Sequence, residues 1–196
     1  MTQARSVARA RLSEESYAHC ERVAAIARLL AARHGVDQDE AELAGLLHDY
    51  SRDESEEELL DGADAMGLTV LPVERRNPYL LHSRVGAARL RPELPALPAT
   101  VLEAVAAHTV GAVPMPDLDK VVYLADMIEP ARTYPGVEAL RSSCERESLN
   151  ECFRRGYARS LEHVARERMP LHPVSSAVAH LIERETGRPL DPPAVP

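Results

Sequence analysis

A chain of 196 residues is long enough for one domain with a sizeable core, and two domains would each be small. With 45% apolar and 28% charged residues it is neither a mainly disordered nor a membrane-spanning sequence, and no apolar run approaches the roughly 18 residues a membrane helix needs. The 23 basic residues are outweighed by 31 acidic ones, and the net charge of −8 opposes a broad grip on nucleic acid, which relies on neutralising many phosphates. A compact phosphate ligand stays open: Lys120 is the only lysine, and the other 22 basic residues are arginines, whose fork suits phosphate oxygens.

Ser13 is placed to cap a helix carrying Val23, Ile26, Ala27 and Leu30 at helical spacing, with His19 on the same face, His34 near its end and Gly35 as its stop. Asp37 and Glu40 form a D-x-x-E variant of the capping box, opening a second helix with Ala41, Ala44 and Leu47 inward. That helix delivers His48 and Asp49 near its C-terminal end. The Glu-rich residues 54–66 predict an exposed helix closed by Gly67, Leu68 to Arg76 a connection, and the residues after Asn77 a helix with Pro78 in its first turn. Segments 98–109, 117–129, 137–146, 148–168 and 174–186 continue the helical pattern, with Pro and Gly at the breaks. Only Val110 to Val113 reads as locally extended. The expectation is an all-α single domain over residues 1–188 and a loose tail over 189–196, which holds four prolines. Cys20, Cys144 and Cys152 suggest neither a CxxC pair nor a disulfide framework, and the Arg-containing N-terminus lacks a signal-peptide apolar core; a reducing cytoplasm fits best.

The chemistry lies in an ordered set: His19, then His48 with Asp49, then His82, His108 and Asp126. Each sits in or beside a predicted helix among apolar neighbours. Asp126 interrupts the otherwise apolar run from Val121 to Ile128, and a buried carboxylate there needs a partner or a metal. Imidazole and carboxylate donors suit iron, manganese, zinc and similar ions better than calcium. Any one of these histidines alone would more often be an ordinary core or surface residue; the set is what carries the reading. His34, His163, His172 and His180 fall outside it and are assigned to structure, and Cys20 to packing.

The order H…HD…H…H…D resembles the HD-domain metal-dependent phosphohydrolases. More narrowly, Ala41 to Tyr50, Ala107 to Gly111 and Leu124 to Val137 are similar to stretches of the YqeK-type symmetrical diadenosine tetraphosphate hydrolases, over roughly residues 13–170. The resemblance implies a helical bundle with a metal site between helices, in which His19, His48, Asp49 and Asp126 are ligands, and His82 and His108 complete a second metal position or hold phosphate. Asp49, His82 and His108 would then be the catalytic residues. Substrate contacts would fall on Arg52, His82, His108, Thr109, Arg132 and the loop of Thr133, Tyr134, Pro135, Gly136 and Val137. Ser16 stands where the family carries a basic residue, so it can offer phosphate a hydroxyl and no charge. The implied cofactor is one or two divalent or trivalent ions, iron favoured, with manganese or another transition metal as alternatives. The implied reaction is hydrolysis of diadenosine tetraphosphate, or a related dinucleoside polyphosphate, to two ADP by metal-activated water. The implied partners are that substrate and its ADP product, with no bulk nucleic acid and no membrane; the oligomeric state is open, a homodimer included. The competing readings are another HD activity, such as a nucleoside monophosphate phosphatase or a guanosine polyphosphate hydrolase, and a non-catalytic nucleotide or metal sensor. Occupation of all six ordered positions by His or Asp weighs against the sensor.

Overall fold

The computed structural model describes residues 1–190, and among these every regular element is helical. Eleven α-helices follow one another: α1 (Thr2–Arg11), α2 (Glu14–His34), α3 (Gln38–Leu47), α4 (Glu56–Ala65), α5 (Pro72–Arg76), then, after a 3-10 turn (Pro78–Leu81), α6 (His82–Glu93), α7 (Ala99–Ala107), α8 (Asp117–Ile128), α9 (Val137–Arg146), α10 (Leu149–Arg166) and α11 (Pro173–Thr186). No helix among the described residues is long and apolar enough to cross a membrane.

The helix ends follow local chemistry. The Ser13 hydroxyl accepts from the Ser16 amide and starts α2, and Gly35 ends it at φ +74°, a left-handed conformation that costs glycine least. Asp37 accepts from the Asp39 and Glu40 amides to start α3, but the capping box expected there is only half made: Glu40 accepts instead from the Thr100 hydroxyl at 2.7 Å. The complete box belongs to Ser55 and Glu58 at α4. In the expected connection, Pro72 at a helix start and Glu74 accepting from the Leu71 amide turn Pro72–Arg76 into a short helix. Val110 to Val113 forms no strand. Helix α1 was not foreseen because it buries only Ala4 and Ala8, too narrow a stripe to register as a period. Its place is fixed by Arg5, which pairs with Glu21 and Glu42.

Helices α2, α3, α7 and α8 pack together at the centre, with α10 closing one side of α8, α11 packed against α10, and α4, α6 and the 3-10 turn lying on the far side of α7. The main core runs through Val23, Ala27, Val121, Leu124, Phe153 and Ile182. A second cluster joins α1 to α3, α6 and α7 through Ala8, Leu46, Leu47, Leu90 and Val105. Gly45 lets α2 and α3 approach closely, since a Cβ there would stand 2.9 Å from the Ala24 Cα. Contrary to the sequence expectation, Cys144 and Cys152 are paired in a disulfide. The tight turn between α9 and α10 brings residues eight apart to a Cα separation of 5.2 Å, leaving Cys20 as the buried free thiol. Leu190, within the expected loose tail, is buried against the core, and residues 191–196 of that tail lie outside the described part.

Candidate metal centre and active site

Four imidazoles meet between the central helices, each turned the same way by its Nδ1. The Nδ1–H of His48 donates to the Gly45 carbonyl at 2.8 Å, that of His82 to the Tyr79 carbonyl at 2.6 Å and that of His108 to the Val105 carbonyl at 2.8 Å. In each case the acceptor is the carbonyl three residues back; at His48 and His108 it lies in the last turn of a helix, and at His82 the Tyr79 carbonyl also accepts the His82 backbone N–H. His19, in the middle of α2, has no such carbonyl, and its Nδ1 instead faces Glu129 Oε1 at 3.3 Å. Every Nε2 lone pair is thereby aimed at the interior, the arrangement by which outer partners orient metal-binding histidines.

The carboxylates complete two sets of donors. His19 Nε2 lies 2.9 Å from Asp126 Oδ1 and 3.5 Å from Asp49 Oδ2, and His48 Nε2 lies 3.2 Å from the same Asp49 oxygen and 3.8 Å from Asp126 Oδ1. The other oxygen, Asp49 Oδ1, is 3.2 Å from His82 Nε2 and 3.4 Å from His108 Nε2. Asp49 thus faces one set with each oxygen. Ligands held about 2.1 Å from a common ion would be about 3.0–3.4 Å apart at octahedral or tetrahedral angles, close to all of these spacings except the 3.8 Å between His48 and Asp126.

Two further observations fit a metal. His19 Nε2 and His48 Nε2 are buried and make no hydrogen bond, despite their short distances to carboxylates. His82 Nε2 and His108 Nε2 face each other at 3.0 Å although both Nδ1 atoms already carry the donated proton, so two lone pairs meet unless a proton or a cation lies between them.

The electrostatics are those of a charge-dense, dry site. Burial opposes ionisation of His48, yet the Asp49 carboxylate raises its imidazole well above the ordinary value. Against the same penalty, the His48 charge and the His108, His48 and His82 imidazoles that face it hold Asp49 well below the carboxylate range. Asp126 is likewise lowered, by His19, His48 and Arg132, although burial works the other way. Burial pushes His108 down, which keeps its imidazole neutral and available as a ligand.

The centre opens on a cavity of about 240 Å³. Of the substrate-contact candidates, Arg52, His82, His108, Thr109 and Arg132 line it. Arg52 is bound to Asp49 Oδ2, and Arg132 to Asp126 through both its carboxylate and, at 2.9 Å, its main-chain oxygen. Ser16, Thr133, Tyr134, Pro135, Gly136 and Val137 do not line it. The Ser16 hydroxyl donates to Asp53 at 2.6 Å, Tyr134 donates to the Met127 carbonyl, and Val137 is buried at the start of α9. Arg141 holds this loop by donating to the carbonyls of Ile128, Glu129 and Arg132.

Sequence reasoning passed over Tyr79, Tyr123, Met127 and Ser160, which also line the cavity. Ser160 comes from α10, more than thirty residues from α8, and no local pattern ties it to the site. Glu129 was passed over too. Its Oε2 accepts from Arg22 Nε at 2.7 Å and the Ala131 amide at 2.8 Å while Oε1 faces His19, so one buried carboxylate fixes α2 to the end of α8.

Known proteins resemble this chain in sequence and in fold. A model of the HD domain matches residues 16–131. The chain is 33% identical to the symmetrical bis(5'-nucleosyl)-tetraphosphatase of Bacillus subtilis over 164 residues, 83% of this chain and 86% of that one. It is 35% identical to the protein of the same name from Staphylococcus aureus over 144 residues, 70% of this chain and 71% of the other. A crystal structure from Clostridium acetobutylicum, described as a predicted HD superfamily hydrolase involved in NAD metabolism, superposes with a TM-score of 0.88 at 26% identity, covering 94% of this chain and 97% of that one. The chain belongs to the HD domain family, in the group of the symmetrical bis(5'-nucleosyl)-tetraphosphatases.

Proposed function

We propose that the protein hydrolyses a dinucleoside tetraphosphate, diadenosine tetraphosphate in the first place, to two nucleoside diphosphates. The observation that carries this reading is the two-sided placement of Asp49 between one set of His19, His48 and Asp126 and another of His82 and His108. The relatives named for symmetrical tetraphosphatase activity support the substrate class.

In this reading His19, His48, Asp49 and Asp126 hold one ion, and Asp49, His82 and His108 a second. The donor set suits iron, which we favour, or manganese. Such ions, when bound, lower the pKa of water and polarise phosphoryl oxygens. The protein's part is to orient and to screen. Glu129 and the carbonyls of Gly45, Tyr79 and Val105 engage each Nδ1 and so turn every Nε2 toward the two sets. Arg52 and Arg132 offer guanidinium groups from the cavity wall to a tetraphosphate chain, lessening the repulsion an anionic nucleophile meets. The Thr109 hydroxyl, within 3.3 Å of His82 Nε2 and 3.4 Å of His108 Nε2, is placed to hydrogen-bond a phosphate oxygen or water there. The Thr133 to Val137 loop acts by seating Arg132.

Product analysis tests the reading. Purified protein should carry iron, lose activity to a chelator, and release ADP as the only nucleotide from diadenosine tetraphosphate. ATP with AMP as the main products would refute the symmetrical cut, and no turnover by metal-replete protein would refute the enzyme.

A further inference from the structure

The cavity mouth carries a tyrosine whose setting differs from that of every other tyrosine in the chain. Five of the six donate their hydroxyls to protein acceptors: Tyr17 to Glu21, Tyr50 to Glu93, Tyr123 to Ser160, Tyr134 to the Met127 carbonyl and Tyr157 to the Val110 carbonyl. The Tyr79 hydroxyl makes no hydrogen bond among the described residues. The residue is 41% exposed, and it is the one aromatic among the large apolar side chains left open to solvent there. The ring is nevertheless held. Its backbone lies in the 3-10 turn, its carbonyl receives the His82 Nδ1–H, and the ring leans on the His82 imidazole with centroids 4.6 Å apart and a 34° tilt.

A fixed aromatic surface at the lip of a charged cavity has an evident complement in the substrate. At about 240 Å³ the cavity is below the usual range of about 300–1,000 Å³ for small-molecule pockets, so a dinucleoside tetraphosphate must project beyond its mouth. Arg52, bound to Asp49, lines the same cavity and brings a guanidinium to it. Resting on the function proposed above, we propose that Tyr79 is the stacking platform for the purine base of the half of the substrate remote from Arg132. A base offers a planar π-face whatever its exocyclic groups, so this contact binds without reading adenine specifically.

Three variants separate base stacking from support of His82. Tyr79→Phe keeps the ring, Tyr79→Leu keeps an apolar contact for His82 and removes the π-face, and Tyr79→Ala removes both. Stacking of one base predicts a rise of about 5- to 150-fold in KM for diadenosine tetraphosphate, and in Kd by calorimetry, for the Leu and Ala variants. Tyr79→Phe should match the parent. In Tyr79→Leu, kcat, bound metal and inhibition by inorganic tripolyphosphate, which has no base, should be unchanged. Equal weakening of tripolyphosphate and dinucleotide, or loss of metal in Tyr79→Leu, would show that Tyr79 serves only His82 and overturn the proposal, as would parental KM in Tyr79→Ala. The two readings fail separately: parent protein that binds diadenosine tetraphosphate through Tyr79 without cutting it defeats the activity alone.

Discussion

The two ends of α8 each carry an aspartate among apolar residues, Asp119 buried and Asp126 half-buried at the cavity, and the two carboxyls behave in opposite ways. Asp126 near the C-terminal end meets His19, His48 and Arg132, and is held ionised below the ordinary range although desolvation opposes it. Asp119, seven residues earlier, is 3% exposed and makes no side-chain hydrogen bond among the described residues. Burial, reinforced by Glu103, pushes its pKa up to about 7. The adjacent Lys120 gives little relief, because its ammonium is bound to Glu185 at 2.7 Å and Asn150 at 2.8 Å. Asp119 faces a larger cavity of about 730 Å³ walled mostly by apolar residues such as Leu71, Val110 and Pro114. Burial alone therefore does not make a metal ligand. The imidazoles and guanidiniums that other helices bring to one end of α8, and not to the other, decide the chemistry.

Asp126→Asn strikes that contrast hardest. The amide keeps the shape and removes the charge that faces His19 and His48, so metal affinity should fall by more than the roughly 10–100-fold typical of outer partners, and turnover should be lost. The far-ultraviolet dichroism should stay helical, since no apolar volume is removed. Metal titration of the purified variant checks this, and parental affinity would move Asp126 out of the ligand set.

A smaller effect is expected from Glu129, which acts on the same site through His19. Glu129→Gln retains an acceptor for the His19 Nδ1–H but loses the charge that pairs with Arg22, and Glu129→Ala loses both. Metal affinity should drop within about 10–100-fold, with Ala the worse of the two. Saturating metal should restore kcat in Glu129→Gln, which removal of a true ligand would not permit.

The same contrast explains what the sequence disclosed. Helix periods, Ser13, Asp37 and Gly35 made most of the helical architecture legible, because capping and apolar spacing are local. His19, His48, Asp49, His82, His108 and Asp126 were legible as an ordered set, and the structure brings all six donors together. The neighbours that complete the site were not. Glu129 reads as the end of a helix until α2 lies beside it, and Tyr79 reads as a turn residue until the cavity gives its ring a place. Ser16 and the Thr133 to Val137 loop, picked out by resemblance, sit beside the site with their polar groups engaged elsewhere. Helix α1 and the Cys144–Cys152 pair escaped notice for a related reason: each is fixed by what it meets, through Arg5 in one case and the α9–α10 turn in the other.

The mildest test lies at the quiet end of α8. In the unfolded chain the Asp119 carboxyl loses its proton near 3.8, whereas in the fold it keeps it to about 7. Between those values the folded state binds the extra proton, so this group's contribution to stability is full below about 4, declines as pH rises toward 7, and is gone above it. Asp119→Asn fixes the site in a neutral form. Thermal melts should then show the variant close to the parent at pH 4.5 and above it at pH 8 by on the order of ten degrees, at about 2–4 °C per kcal/mol for a chain of this size. Activity should stay parental, because Asp119 lines the apolar cavity and not the metal centre. A melting difference that is the same at both pH values would mean that the carboxyl is not held protonated in the fold, and the opposition between the two ends of α8 would then be one of position alone.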